Sequence, residues 1–233
     1  MAFDPDQFLP IRPYLYHLTA MENLKSIVRT KKLRCANILL EEAGLQHHAA
    51  LRREGHMSVP TNEGVVLIRD QRPLANGAIE FEEGWDLARF VKHVNQHVFF
   101  WPGTAVGPIG PGLNHFERYR AECPVILRLA TKNAGLNSLK FSRYNSGAPR
   151  CSGGRYSPRG SRTYLPSNEF SGTASQVVEV VAIREFVLPT NVVEEGNCVT
   201  AAFDKFPSTA QETVTHLPSK SVRVNVSLCI SGK

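Results

Sequence analysis

Tyr14-Leu15-Tyr16-His17-Leu18-Thr19-Ala20-Met21-Glu22-Asn23-Leu24 is the stretch around which the chain is organised. Tyr14 to Leu18 has the composition of a short strand. Thr19 reads as the N-cap of a following helix, with Glu22 completing a capping box. Leu24, Ile27 and Val28 supply that helix's apolar face. A strand that ends in polar residues and runs into a helix N-terminus sets His17 and Thr19 beside free backbone N–H groups, a place suited to a ligand with hydroxyls or phosphates.

The chain has 233 residues, enough for one domain with its own core, and 42% of them are hydrophobic. A net charge of +6 favours polyanionic partners, nucleic acid first. Cys35, Cys123, Cys151, Cys198 and Cys229 are far apart and form no Cys-x-x-Cys pair, which argues against a zinc site or disulfide framework and for a reducing cytoplasm. The start, Met-Ala-Phe-Asp-Pro-Asp, has no apolar run of the signal-peptide kind. No segment reaches the length of a membrane span.

Outward from the first stretch, residues 1–13, with three prolines, read as an extended lead-in. Residues 37–55 read as a second helix interrupted by Gly44, with His47 and His48 facing solvent. Val65-Val66-Leu67-Ile68 reads as a buried strand, ending in Arg69-Asp70-Gln71-Arg72-Pro73. Arginines placed there suit a pyrophosphate bidentately, or pair with Asp70 on the surface. Residues 85–96 form an amphipathic helix leading into Val98-Phe99-Phe100-Trp101, a strand that Pro102-Gly103 should terminate. By alternation only one of each aromatic pair faces the core; the other is free to stack on nicotinamide or adenine. Residues 103–112 read as a glycine- and proline-rich loop, 113–120 as a short helix and 125–129 as a strand.

From Phe141 to Phe170 the character changes. Arg143, Arg150, Arg155, Arg159 and Arg162 occur with no acidic residue before Glu169, and Tyr144, Tyr156 and Tyr164 are interleaved. Arginines for phosphates and aromatics for bases are the ingredients of single-strand nucleic-acid binding. Gln176 to Ile183 then reads as a central strand with four valines and one carboxylate, Glu179, in its middle. An unpartnered buried carboxylate is costly, so Glu179 needs a cation, hydrogen bonds or a catalytic role. Val222, Val224, Val226, Leu228 and Ile230 alternate as in a half-buried strand.

Taken together, these segments carry a family resemblance. The spacing His17-x-Thr19-x-x-x-Asn23-Leu24 is similar to the first motif of the DarT-like ADP-ribosyltransferases. Ile68-Arg69-Asp70-Gln71-Arg72, Val98-Phe99-Phe100-Trp101, Phe141-Ser142-Arg143-Tyr144-Asn145-Ser146-Gly147 and Arg162-Thr163-Tyr164 resemble later segments of an uncharacterised bacterial family related to DarT. Gln176-Val177-Val178-Glu179-Val180 resembles the DarT strand with the catalytic glutamate. The resemblance covers roughly residues 14–190 of a single domain, 1–233.

It implies an α+β fold of the ADP-ribosyltransferase type: two small antiparallel sheets around an NAD cleft, helices outside. The activity implied is NAD-dependent mono-ADP-ribosylation, with no metal. Glu179 would stabilise an oxocarbenium-like ribose, and Arg69 would hold the pyrophosphate or position the acceptor, with Arg72 the competing choice. His17, Thr19 and Asn23 would bind or support NAD, and Phe100 or Trp101 would stack on nicotinamide. The acceptor is not inherited, because residues 141–175 do not match DarT's target-recognition segment. The arginine–tyrosine loop favours single-stranded DNA or RNA, through Arg143, Arg150, Arg155, Arg159, Arg162 and Tyr164. A toxin of a toxin–antitoxin or anti-phage system is expected, with an antitoxin or regulatory protein as partner. The competing expectations are a non-catalytic nucleotide- or nucleic-acid-binding module, an NAD hydrolase, and a protein-directed transferase.

Overall fold

The computed structural model describes residues 3–74, 79–122, 124–147 and 158–189, with two short backbone pairs at 213–214 and 224–225. The chain is α+β. It opens with a helix, α1 (Pro5–Ile11), where an extended lead-in was expected. Its start explains it: Asp4 caps the helix, accepting from Asp6 N at 2.9 Å, and Pro5 fills the first turn, where no N–H is needed. Phe3 and the fully buried Phe8 then pack on Phe141 and Phe170.

Seven strands form the main sheet, in the order β7 (Val125–Ala130), β1 (Tyr14–Thr19), β5 (His97–Thr104), β10 (Glu179–Ile183), β8 (Lys140–Ser142) and β9 (Leu165–Pro166), with β6 (Gly107–Pro108) also on β5. Every pairing in it is antiparallel. The register of β5 matters most. Its first half pairs with β10, Phe100 opposite Val180, and its second half pairs with β1, Trp101 opposite Tyr16. The strand is therefore shared between two half-sheets that part at Phe100–Trp101. Beyond Tyr16, β1 stays on β7 alone, so His17 and Thr19 face the parting. Glu179, the first residue of β10, lies at the same place from the other side.

The expected stop at Pro102 does not occur. β5 runs through it to Thr104, and the Pro102 carbonyl accepts from Ile109 N at 3.0 Å. The glycine-rich segment is likewise structured: β6 and then α5 (Gly110–Arg118) begin within it. A Cβ on Gly112 would lie 2.7 Å from Trp101 Cβ, so glycine here lets α5 rest directly on the strand.

The remaining elements wrap this sheet. A 3₁₀ turn (Met21–Asn23) leads into α2 (Leu24–Thr30), then β2 (Lys32–Arg34), α3 (Ala36–Glu42) and a second 3₁₀ turn (Gln46–Ala50). The single helix expected over 37–55 is broken at Gly44, which takes φ +71°. His47 is exposed and His48 half-buried. β3 (Met57–Thr61) and β4 (Gly64–Ile68) make a hairpin rather than a buried central strand. Val66 and Ile68 are inside while Val65 is 65% exposed, the alternation of a sheet with one wet face. α4 (Leu87–Val94) is capped by Asp86, which accepts from Arg89 N at 2.7 Å, and buries Phe90, Val91 and Val94. β11 (Glu185–Val187) pairs with β2.

The strand expected from Gln176 starts only at Glu179; Ala174–Gln176 is a 3₁₀ turn closed by a Thr173–Gln176 capping box. Of the alternating run at 222–230, the pairing of Thr213–Val214 (β12) with Val224–Asn225 (β13) is described; the burial of that run lies outside the described residues. No helix among the described residues is long and apolar enough to cross a membrane.

Candidate functional site

The parting of the sheet opens into a cavity of about 440 Å³. His17, Thr19, Asn23, Arg69, Trp101 and Glu179 all line it, although they come from five separate parts of the chain.

The first wall is β1 and the turn after it. Thr19 is not a helix cap: the 3₁₀ turn begins after Ala20 with no side-chain cap bond, so the expected capping box is absent. Thr19 instead closes β1, and its hydroxyl accepts from Asn23 Nδ2 at 3.2 Å. Asn23 also takes both backbone groups of Leu67, at 2.9 and 2.8 Å. It stitches β4 to the end of β1 and fixes that wall. His17 Nδ1 lies 2.8 Å from the Phe99 carbonyl. Burial holds this imidazole neutral, with its pKa lowered to about 4; the bond to Phe99 acts the other way and the Arg69 charge acts with burial. The half-buried ring lines the cavity.

The opposite wall is Glu179, 1% exposed. Its Oε2 accepts from Ser146 N at 3.0 Å. Burial raises this carboxyl to about 7, against the opposing pull of Ser146 and of the Arg159 charge. A carboxyl placed there changes ionisation near neutrality, as an acid–base or charge-stabilising group requires.

The third side is rich in donors. Arg69 leaves the end of β4, lays its guanidinium over the Tyr119 ring at 4.6 Å and reaches Glu122 at 2.6 Å. Arg72 lies off the cavity, its side chain 62% exposed and paired with Asp70 at 3.0 Å. Of the two arginines, Arg69 is the one on the site. The sequence did not single out Arg53, which is 8% exposed yet lines the cavity. Arg53 Nε donates to Arg69 O at 2.8 Å and Nη2 to Asn95 Oδ1 at 3.0 Å. Its buried Nη1 has no hydrogen-bond partner, and neither do Arg69 Nε and Trp101 Nε1. Three buried donors without a partner thus belong to residues that line one cavity.

Trp101 stacks on His115 at 4.3 Å and 23°, with α5 supplying the histidine. Phe100 does not reach the cavity. It is fully buried on the core face against Phe186, 4.9 Å away, so its expected stacking role is corrected. Phe99, its neighbour in alternation, lines the cavity instead.

Around Arg69, the side chains of His56, Asp70 and Glu122 offer ligand atoms within 4.8 Å of one another. The Asp70 N–H donates to His56 Nδ1 at 3.0 Å, so His56 carries its proton on Nε2, 2.9 Å from Glu122. Burial works against the Asp70 carboxylate, but the Arg72 N–H and the Tyr119 hydroxyl hold its pKa low. The group is knit as ion pairs with Arg69 and Arg72 that already supply its cations.

The proposed nucleic-acid loop is divided. Arg150 and Arg155 lie outside the described residues. Arg143 and Arg162 are exposed, and Arg143 also holds Ser171 O and Gln176 Oε1. Arg159 and Tyr164 are buried, at 0% and 1% exposure, and are corrected from surface contacts to interior residues. Tyr164 packs among His93, His97 and Phe99, and Arg159 lies over the Tyr144 ring at 3.9 Å.

The fold and site define an α+β protein with a buried carboxylate facing a donor-lined cavity. The chain belongs to a family of unknown function, DUF7002, which it matches over residues 13–199. No curated protein and no solved structure matches it.

Proposed function

We propose that this protein is an NAD-dependent mono-ADP-ribosyltransferase of the DarT-like type, with the split sheet as its ADP-ribosyltransferase fold. One observation carries the reading: the Glu179 carboxylate and the His17–Thr19 strand end line one cavity with three residues, Arg53, Arg69 and Trp101, that each keep an unpaired buried donor. Those donors fit NAD as substrate. Arg53 and Arg69 suit a pyrophosphate, His17 Nε2 and the Thr19 hydroxyl suit ribose hydroxyls, and the Phe99 and Trp101 rings offer faces to the nicotinamide.

In the reaction, the bond from ribose C1′ to the nicotinamide nitrogen breaks and nicotinamide leaves with the electron pair. Ionised Glu179 stabilises the positive charge that develops on the ribose. An acceptor nitrogen or oxygen then bonds to C1′, and its proton passes to Glu179. The acceptor we favour is a base of single-stranded DNA or RNA, on the strength of the net charge of +6 and exposed Arg143 and Arg162. A toxin role in a toxin–antitoxin or anti-phage system, with a controlling protein partner, follows from the resemblance alone; action in a reducing cytoplasm rests on the scattered cysteines.

A second reading, NAD hydrolysis with water as acceptor, draws on the burial of Arg159 and Tyr164, which thins the described acceptor surface. The test common to both is nicotinamide release from NAD by the purified protein, alone and with single-stranded DNA, RNA or a cell lysate as acceptor, beside Glu179→Gln. Release by the wild type alone supports the reading; no release by either contradicts it.

A further inference from the structure

We propose that Arg159 is a positioning residue for Glu179, acting through the backbone of Ser146, whose N–H and carbonyl the two of them hold. Ser146 N donates to Glu179 Oε2 at 3.0 Å, and Ser146 O accepts from Arg159 Nε at 3.3 Å. The two peptide units that flank the Ser146 Cα are thus held, the one before it by the carboxylate through its N–H and the one after it by the cation through its carbonyl. Ser146 also lines the cavity, so the grip sets the wall beside the reacting carboxylate.

Arg159 is the largest fully buried side chain among the described residues, and burying a guanidinium is expensive without a task. Its placement is built from both sides of its own backbone. Arg159 N donates to Glu80 O at 2.8 Å, and Arg159 O accepts from Glu82 N at 3.0 Å. The Glu82 carboxylate then takes Ser161 N, Ser161 Oγ and Arg162 N at 2.9, 2.8 and 3.2 Å. A Cβ on Gly160 would run into the Glu82 side chain, so glycine here leaves room for the carboxylate to approach. The segment is fastened so that its arginine points inward.

The groups around Glu179 make the electrical role specific. Ser146 offers its N–H and hydroxyl, Arg159 its charge, and Tyr164 its neutral phenol, which burial and Glu179 keep from ionising. The Tyr144 ring lies under the Arg159 guanidinium, and His97, held neutral by burial, packs on Tyr164. Arg159 is the cation in this set, opposing the desolvation that disfavours the Glu179 carboxylate.

The inference deepens the transferase reading, but its test does not need activity. The Glu179 carboxyl band, assigned by its loss in Glu179→Gln, is titrated by infrared difference spectroscopy on the whole protein. Arg159→Gln is expected to raise the midpoint by about one pH unit, whereas Arg159→Lys keeps it near the wild-type value. An unchanged midpoint in Arg159→Gln overturns the proposal. Should that variant not fold, the Arg159 15Nε resonance in the wild type decides: a shift coincident with the Glu179 titration supports the coupling, and no shift overturns it. Where nicotinamide release is measurable, Arg159→Lys lowers kcat about tenfold with KM unchanged; wild-type kcat in that variant contradicts positioning.

Discussion

His17 turns Nδ1 to the carbonyl oxygen of Phe99, 2.8 Å away, where β1 and β5 part company. A carbonyl only accepts, so Nδ1 carries the proton, and the neutral ring offers Nε2 as an acceptor. The side chain takes a carbonyl beyond the last β1–β5 pair and leaves the strand end open to a ligand. Replacing His17 by Asn keeps a donor near Nδ1 but removes the Nε2 acceptor. NAD affinity is expected to fall about tenfold in calorimetry while thermal stability changes little. Unchanged affinity would make His17 a purely structural residue.

Three histidines give the protein a predictable acid limit. Burial lowers His17 and His97 to about 4 and His115 to about 3. The unfolded chain protonates them near pH 6.5, so between that value and about 4 it binds more protons than the folded chain. Stability therefore falls as pH drops through this window. Urea midpoints measured from pH 8 to pH 4 should decline steeply below about 6.5. His115→Gln should flatten the decline.

Glu179 acts in the opposite sense. Its folded pKa of about 7 exceeds the ordinary carboxyl value of 4.5, so the folded state holds the extra proton between the two. Its contribution is intact below about 4.5 and is lost as pH rises towards 7. Glu179→Gln should stabilise the protein at pH 8 by up to about 3 kcal/mol. The same substitution should cut turnover by at least about a hundredfold. Wild-type kcat should rise with pH through about 7 as the carboxylate forms. A variant both less stable and fully active would remove Glu179 from the chemistry.

The arginines separate by position. Arg69→Ala and Arg53→Lys, which lack the guanidinium fork on the cavity, should each raise the KM for NAD about tenfold or more. Arg72→Ala, on the outside, should stay within about twofold of wild type. Equal losses at Arg69 and Arg72 would mean that the outer ion-pair network, rather than the cavity, holds the ligand.

Much of this site was legible in the sequence because it lies where the pattern breaks. A carboxylate among valines and a His-x-Thr at a strand end are local signals, and both reach the cavity. Other features depend on register or on distant contacts. Alternation says that one of Phe99 and Phe100 faces the core, but the pairing of Phe100 with Val180 decides which. Arg53 sits in a loop without periodicity, and its partners Arg69 and Asn95 are far along the chain. The 141–170 loop looks one-signed only because the acid that fastens it, Glu82, lies 80 residues before its contact Arg162. That missing contact made Arg159 resemble a surface cation. The prolines at 5 and 102 misled for a simpler reason: the first turn of a helix, and one position in a strand, do not need their N–H.

The most direct test of the account follows label from NAD carrying it on the adenylate. The purified protein is incubated separately with single-stranded DNA, RNA and a cell lysate, each beside Glu179→Gln. The account predicts label on DNA or RNA with the wild type and none with the variant. NAD left intact in every arm, with binding still measurable, would contradict it and leave a cavity that binds nucleotides without reacting them.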